Sequence, residues 1–172
     1  MEKLTHRPAV LITGASRGIG AAAARRFARG GWDVGVHYCR AQDRAQALVR
    51  ELEELGVRAA ALPGDLAQPE TAQRLVQQAQ EQLGPLEALV CNAGVAPRQM
   101  LLTDLSGAEW RQVMAVNLDG TFRLLQAAVP GLVRRQRGAI VTLSSMWGIT
   151  GGSCEAAYSA SKAGIIGLTR AM

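Results

Sequence analysis

The chain has 172 residues, 48% of them hydrophobic and 19% charged. This is the composition of one globular domain, and it excludes a disordered tail or a collagen-like repeat. The net charge of +5 comes from 19 basic and 14 acidic residues. The basic ones are scattered and aromatics are few, so no nucleic-acid partner is expected. No apolar run is long enough to span a bilayer, and residues 1–6 lack the apolar core of a secretory signal, so no membrane partner is expected either. Cys39, Cys91 and Cys154 show no CxxC spacing. They indicate neither a disulfide framework nor a metal site, and they point to a reduced, cytoplasmic setting.

Along the chain a short apolar run, a turn and a longer amphipathic stretch recur. Residues 9–13 read as a buried strand, 18–29 as a helix and 33–38 as a second strand. Residues 42–55 form a helix whose Ala45, Leu48, Val49, Leu52 and Leu55 keep helical spacing. A third strand spans 59–63. Pro69 stands where the next helix can begin, and Ala72, Leu75, Val76, Ala79 and Leu83 form its apolar face. A strand at 88–91, helices at 107–116 and 120–135, a strand at 139–144 and a helix at 157–172 complete the pattern. Strands alternating with helices of this length predict an α/β fold, a doubly wound parallel sheet in a single domain over residues 1–172.

The first strand runs into Thr13-Gly14-Ala15-Ser16-Arg17-Gly18-Ile19-Gly20, and a helix opens at once. Gly14 lets the chain turn tightly, Gly18 admits a pyrophosphate close to the backbone, and Gly20 lets helix and strand pack. The free amides and positive end of the helix suit phosphate. An NAD site usually carries an acid about 20 residues past the glycines. Tyr38 and Cys39 stand there, while Arg17 and Arg40 supply two guanidiniums that favour a 2′-phosphate. This points to NADP(H), with Asp43 the one acid close enough to oppose it. The alternative is that both arginines are solvated surface residues.

The G-x-x-x-G-x-G spacing after a threonine resembles the short-chain dehydrogenase/reductase family, whose fold is the Rossmann fold. Asn92-Ala93-Gly94 is similar to the family's N-A-G segment, which shapes the cofactor floor. Asp65-Leu66 is similar to the pair that holds the adenine. Tyr158 and Lys162 form a Y-x-x-x-K motif whose i, i+4 spacing puts both side chains on one helix face. A phenol ordinarily titrates near pH 10, and an adjacent ammonium favours the phenolate.

The resemblance implies that Ser145 orients a substrate carbonyl, with Ser144 the near miss. It implies that Asn117 holds a water linking Lys162 to solvent; a helix-kinking or capping asparagine is the competing explanation. The implied reaction is hydride transfer from NADPH to a carbonyl carbon as Tyr158 protonates the oxygen. Lys162 keeps the tyrosine acidic and holds the nicotinamide ribose. Cofactor contacts are thus expected from Gly14, Ser16, Arg17, Gly18, Ile19, Gly20, Arg40, Asp65, Leu66, Asn92, Ala93, Gly94, Tyr158 and Lys162.

Within the family, the motifs around Gly14, Asn117 and Tyr158 most resemble the 3-oxoacyl-[acyl-carrier-protein] reductases of fatty acid biosynthesis. Residues 146–157 would form the substrate loop, with Met146 and Trp147 either lining it or serving the core. Arg123, Arg134 and Arg135 either meet an acidic carrier or are ordinary solvated charges. The family's dimers and tetramers use helices corresponding to 120–135 and 157–172, so a homo-oligomer is expected. Family members continue into two more strands beyond the Y-x-x-x-K helix. On that comparison the chain is expected to be C-terminally truncated and to lack the last strands, leaving residues 139–143 as an apolar sheet edge. Two readings follow: a carbonyl reductase, or a cofactor-binding or interaction fragment without turnover.

Overall fold

A computed structural model describes residues 7–172; the expectation about a secretory signal falls on residues 1–6, outside them. The five strands are β1 (Ala9–Ile12), β2 (Asp33–Tyr38), β3 (Ala59–Pro63), β4 (Leu86–Cys91) and β5 (Ala139–Thr142). All pair in parallel, in the order β3-β2-β1-β4-β5. β1, β2 and β4 are buried on both faces along their whole length; β1 is a continuous apolar run, while Asp33, His37 and Glu87 interrupt the apolar residues of β2 and β4. The helices are α1 (Gly18–Arg29), α2 (Gln42–Glu54), α3 (Thr71–Leu83), α4 (Gly107–Met114), α5 (Gly120–Arg134), α6 (Trp147–Thr150) and α7 (Ala156–Arg170).

The strand pleat divides the core into two layers. Leu11, Leu62 and Leu89 face one way and pack with Leu75 and Ala79 of α3 and Leu124 of α5. Val10, Ile12, Val34 and Val36 face the other way, against Ala24 of α1 and Leu48 of α2. Leu11 has no exposed surface. Leu11→Ala is therefore expected to cost about 2–5 kcal/mol, read as a lower denaturant midpoint at unchanged slope. Asp33, also fully buried, accepts from the backbone N and the Nε of Arg58, both at 2.8 Å, which ties the start of β2 to β3.

From β1 the chain winds outward first through β2 and β3, then on the other side through β4 and β5. The order reverses between β1 and β4, so a crevice opens at their C-terminal ends, where ligands bind in such sheets. β5 lies at the edge, as expected, and among the described residues it pairs with β4 alone. Its Val141 is 49% exposed.

Several expectations need correction. α3 starts at Thr71, not Pro69. Residues 65–71 first make a turn, in which Asp65 O accepts from Gln68 N and Gln68 O from Thr71 N. No break separates the helices expected at 107–116 and 120–135. A π-helical segment, Ala115–Asp119, joins α4 to α5 in one continuous run. The last helix ends at Arg170 and β5 at Thr142. α6 lies in the expected substrate loop, and a 3-10 turn at Leu102–Asp104 lies where no element was expected; both are too short to show a hydrophobic period.

Candidate active site

The glycine turn lies at the crevice. Gly14 has φ +64°, and a Cβ there would stand 2.9 Å from Ala93 Cα. Gly18 has φ +55° and open space where its Cβ would be. Gly20 is hemmed in: a Cβ would fall 2.5 Å from Gly14 O and 2.7 Å from Asn92 Nδ2. The N-terminus of α1 has no side-chain cap and no acid in its first turn. Its amides and positive end are therefore available to an anion, and a diphosphate fits the opening at Gly18. Ser16 is half-buried, Arg17 and Arg40 are exposed, and Ile19 is 69% exposed.

Thr13 and Asn92 brace this turn. Asn92 Nδ2 donates to Thr13 O (2.9 Å) and Gly14 O (3.1 Å), while Thr13 Oγ1 accepts from the backbone N of Asn92 and of Ala93, both at 3.1 Å. On the far side, Asp65 Oδ1 accepts from Ala67 N (3.0 Å). Leu66 is 4% exposed and packs against Gly120 of α5.

The same loop reaches the second cluster of residues. A Cβ on Gly94 would lie 3.4 Å from Asn117 Oδ1 and 3.5 Å from Lys162 Nζ. Asn117, 1% exposed, sits in the π-helical segment. Such one-turn π insertions concentrate at functional sites. Its Oδ1 accepts from Val95 N (2.8 Å), and its Nδ2 donates to Val95 O (2.9 Å) and Ser161 Oγ (3.0 Å). Its carbonyl accepts from Thr121 Oγ1 (2.8 Å). The side chain is thus a brace between the 92–95 loop and α7, and a water has only the remaining lone pairs of its two oxygens to bind. Ser161 Oγ passes the contact on, donating to Tyr158 O at 2.7 Å.

Lys162 is 5% exposed; its Nζ donates to Leu143 O at 2.7 Å and stands 5.7 Å from the centre of the Tyr158 ring. Burial pulls the ammonium below the usual lysine range. Ser144 Oγ donates to Lys162 O (2.7 Å), so both ends of Lys162 are fixed to the end of β5. Ser145 is half-buried, and its Oγ accepts from Trp147 N at 3.2 Å. A cavity of about 660 Å³ beside it is lined by Ser144, Ser145, Gly148, Ile149, Ile166 and Arg170. Neither the glycine turn nor Tyr158 lines that cavity.

The model of the short chain dehydrogenase family matches residues 8–172, almost the whole chain. The chain belongs to that family. It is 39% identical over 160 residues to the 3-oxoacyl-[acyl-carrier-protein] reductase FabG of Staphylococcus aureus, a match covering 93% of this chain and 65% of the relative. It is 41% identical over 164 residues to an L-rhamnose 1-dehydrogenase (NAD(P)(+)) of a Sphingomonas species, covering 95% and 64%. A metagenomic short-chain oxidoreductase solved in complex with NADP superposes with a TM-score of 0.90 at 34% identity, over 95% of this chain and 74% of that one. The chain thus spans just under two thirds of the length of the two curated relatives.

The sequence motifs assign no role to Thr13, His37 or Ser161, and Ser144, the near miss to Ser145, instead anchors the backbone of Lys162. Thr13 and Ser161 lie inside the quoted motifs. His37 had one signal, a polar residue within a strand buried along its whole length.

Proposed function

We propose that the chain carries the cofactor-binding and proton-transfer parts of an NADP(H)-dependent carbonyl reductase of the 3-oxoacyl-[acyl-carrier-protein] reductase kind. One observation carries this: residues 92–95 grip the glycine turn through Asn92 and lie against Asn117 and Lys162 at Gly94. The diphosphate cradle and the proton-donating helix therefore share one wall.

Amides at the start of α1 and in the Gly14–Gly20 turn hold the diphosphate, and Arg17 and Arg40 take the 2′-phosphate. When bound, the dinucleotide supplies the hydride. Ser145 Oγ orients the substrate carbonyl oxygen, and the Tyr158 hydroxyl donates its proton to that oxygen. The Lys162 ammonium stabilises the charge left on the tyrosine. Asn117 and Ser161 hold Tyr158 and Lys162 at the loop. Met146 and Ile149, 63% and 80% exposed next to Ser145 in the chain, suit an acyl chain better than a sugar. Exposed Trp110 and Phe122 on α4 and α5 support self-association. The free cysteines agree with a cytoplasmic setting.

Titration with NADPH and NADH, followed by loss of NADPH absorbance on adding a 3-oxoacyl thioester, tests the proposal. Two lost charge-assisted bonds give the double variant Arg17→Ser/Arg40→Asp an NADPH affinity lower by about tenfold or more, with NADH affinity little changed. An unchanged preference for NADPH would remove the arginines from recognition. A second reading is cofactor binding without turnover. Tight NADPH binding with no turnover would select it.

A further inference from the structure

His37 takes no part in the contacts and proton transfer proposed above, yet it is only 2% exposed at the crevice end of β2. Its Nδ1 lies 3.0 Å from Gly14 N. A backbone amide can only donate, so Nδ1 is the unprotonated acceptor and Nε2 carries the ring's proton. Nε2 then donates to Gly64 O at 3.0 Å. The backbone joins in, with Ala15 N donating to His37 O at 2.9 Å. One side chain therefore ties the first residue of the glycine turn, held at φ +64°, to the residue before Asp65.

We propose that His37 is a positioning residue and acid-sensitive latch of the dinucleotide site: neutral, it holds the Gly14 turn and the Gly64–Asp65 loop together, and protonated, it releases Gly14 and weakens NADP(H) binding. This rests on the cofactor reading above. A second ring proton would set an N–H against the Gly14 N–H and leave both without an acceptor in a buried place.

The surroundings favour the neutral ring. Burial pushes its pKa below the ordinary histidine value, against smaller opposing contributions from the Gly64 carbonyl and the Asp65 charge. The flanking strands β1 and β3 carry no titratable residue. α3, on the same side of the sheet, carries Arg74 and Glu81, and Cys39 and Arg40 follow on its own segment. α1 and α2 pack against Val36 and Tyr38 on the opposite side. Because the folded ring resists protonation more than the unfolded one, its contribution to stability is complete above about pH 6.5. That contribution falls as the pH drops toward the folded-state pKa.

His6 and His37 are the two histidines of the chain, so ring-nitrogen NMR of the cofactor-free protein can separate them. The expected spectrum shows His37 as the Nε2–H tautomer at pH 7.5, losing that signature in acid. In parallel, NADP⁺ affinity is measured from pH 7.5 to 5 for the unmodified protein, His37→Asn and His37→Leu. The Asn side-chain oxygen can still accept from Gly14 but cannot titrate. His37→Asn keeps the acceptor for Gly14 but loses the Nε2 donor to Gly64 O, so it should bind more weakly than the unmodified protein at pH 7.5. Its loss of affinity between pH 7.5 and pH 5 should nevertheless be smaller than that of the unmodified protein, by about threefold or more. His37→Leu should already be weak at pH 7.5. The 2′-phosphate titrates near pH 6, but equally for all three proteins, so it cancels from the comparison. A His37 ring carrying its proton on Nδ1 at pH 7.5, or equal acid losses in the unmodified protein and His37→Asn, would overturn the latch. Absence of NADP⁺ binding by every protein at pH 7.5 would instead refute the dinucleotide reading, and the latch as a cofactor device with it. The ring spectrum still reports the Gly14 bond independently.

Discussion

Tyr158→Phe is expected to lower kcat by about 10²–10⁴-fold, the usual contribution of a positioned general acid, while NADPH affinity and folding stay essentially unchanged. The substitution removes one oxygen and keeps the ring. Tyr158 is half-buried near the start of α7, and the bond that secures it there comes from Ser161 Oγ to its backbone carbonyl, which Phe retains. Lys162 also stays where it is, since its Nζ is bonded to Leu143 O and not to the ring. A loss confined to turnover therefore separates proton transfer from architecture. Steady-state rates with a 3-oxoacyl thioester, set beside fluorescence titration of NADPH, make the measurement. Undiminished turnover would remove Tyr158 from the chemistry.

Gly20→Ala is expected to abolish measurable NADPH binding and to cost about 1–3 kcal/mol of stability, as overpacking does. The added methyl would stand 2.5 Å from Gly14 O and 2.7 Å from Asn92 Nδ2. Neither neighbour can yield cheaply. Gly14 O is backbone, and Asn92 Nδ2 is the donor that holds Thr13 O and Gly14 O. Relieving the clash means opening the turn itself. Gly18→Ala is the informative contrast. Nothing lies within 4 Å of its added Cβ, so its cost is the positive φ alone, about 1–2 kcal/mol. Calorimetric titration of both variants, with thermal melts alongside, should rank Gly20→Ala as the more damaging for binding. The reverse order would mean that the cradle is shaped by the open side of the turn.

Much of the fold was legible because its signals are local. β2, β3 and α1 match their expected ranges residue for residue, each being bounded by glycine or proline or by an abrupt change of hydrophobic period. The glycine turn was legible for the same reason. The join at residues 115–119 was not. Asn117 reads as a residue that can kink or cap a helix, yet it is carried through in π geometry. There the Asn117 side chain pairs with Val95 and Ser161, and Gly120 closes on Leu66. Pro69 misled in a similar way, since the turn from Asp65 to Thr71 is set by hydrogen bonds that no periodicity displays.

Asn117 shows the limit for function. Motif spacing singles it out, but its bonds to residues 22 and 44 positions away make it a brace. His37 goes further, since nothing beside it in the chain tells whether a polar residue in a buried strand is bonded, and to what.

The order of strands and helices, the phosphate turn and the Tyr158–Lys162 pair were written in the chain, because each depends on residues within about two helical turns of one another. Which loop bridges the turn to Lys162, which proton His37 carries, and how Asn117 spends its amide were settled by packing. Those outcomes depend on donors and acceptors brought together from distant segments, and a buried polar group takes whatever partner the fold places within reach.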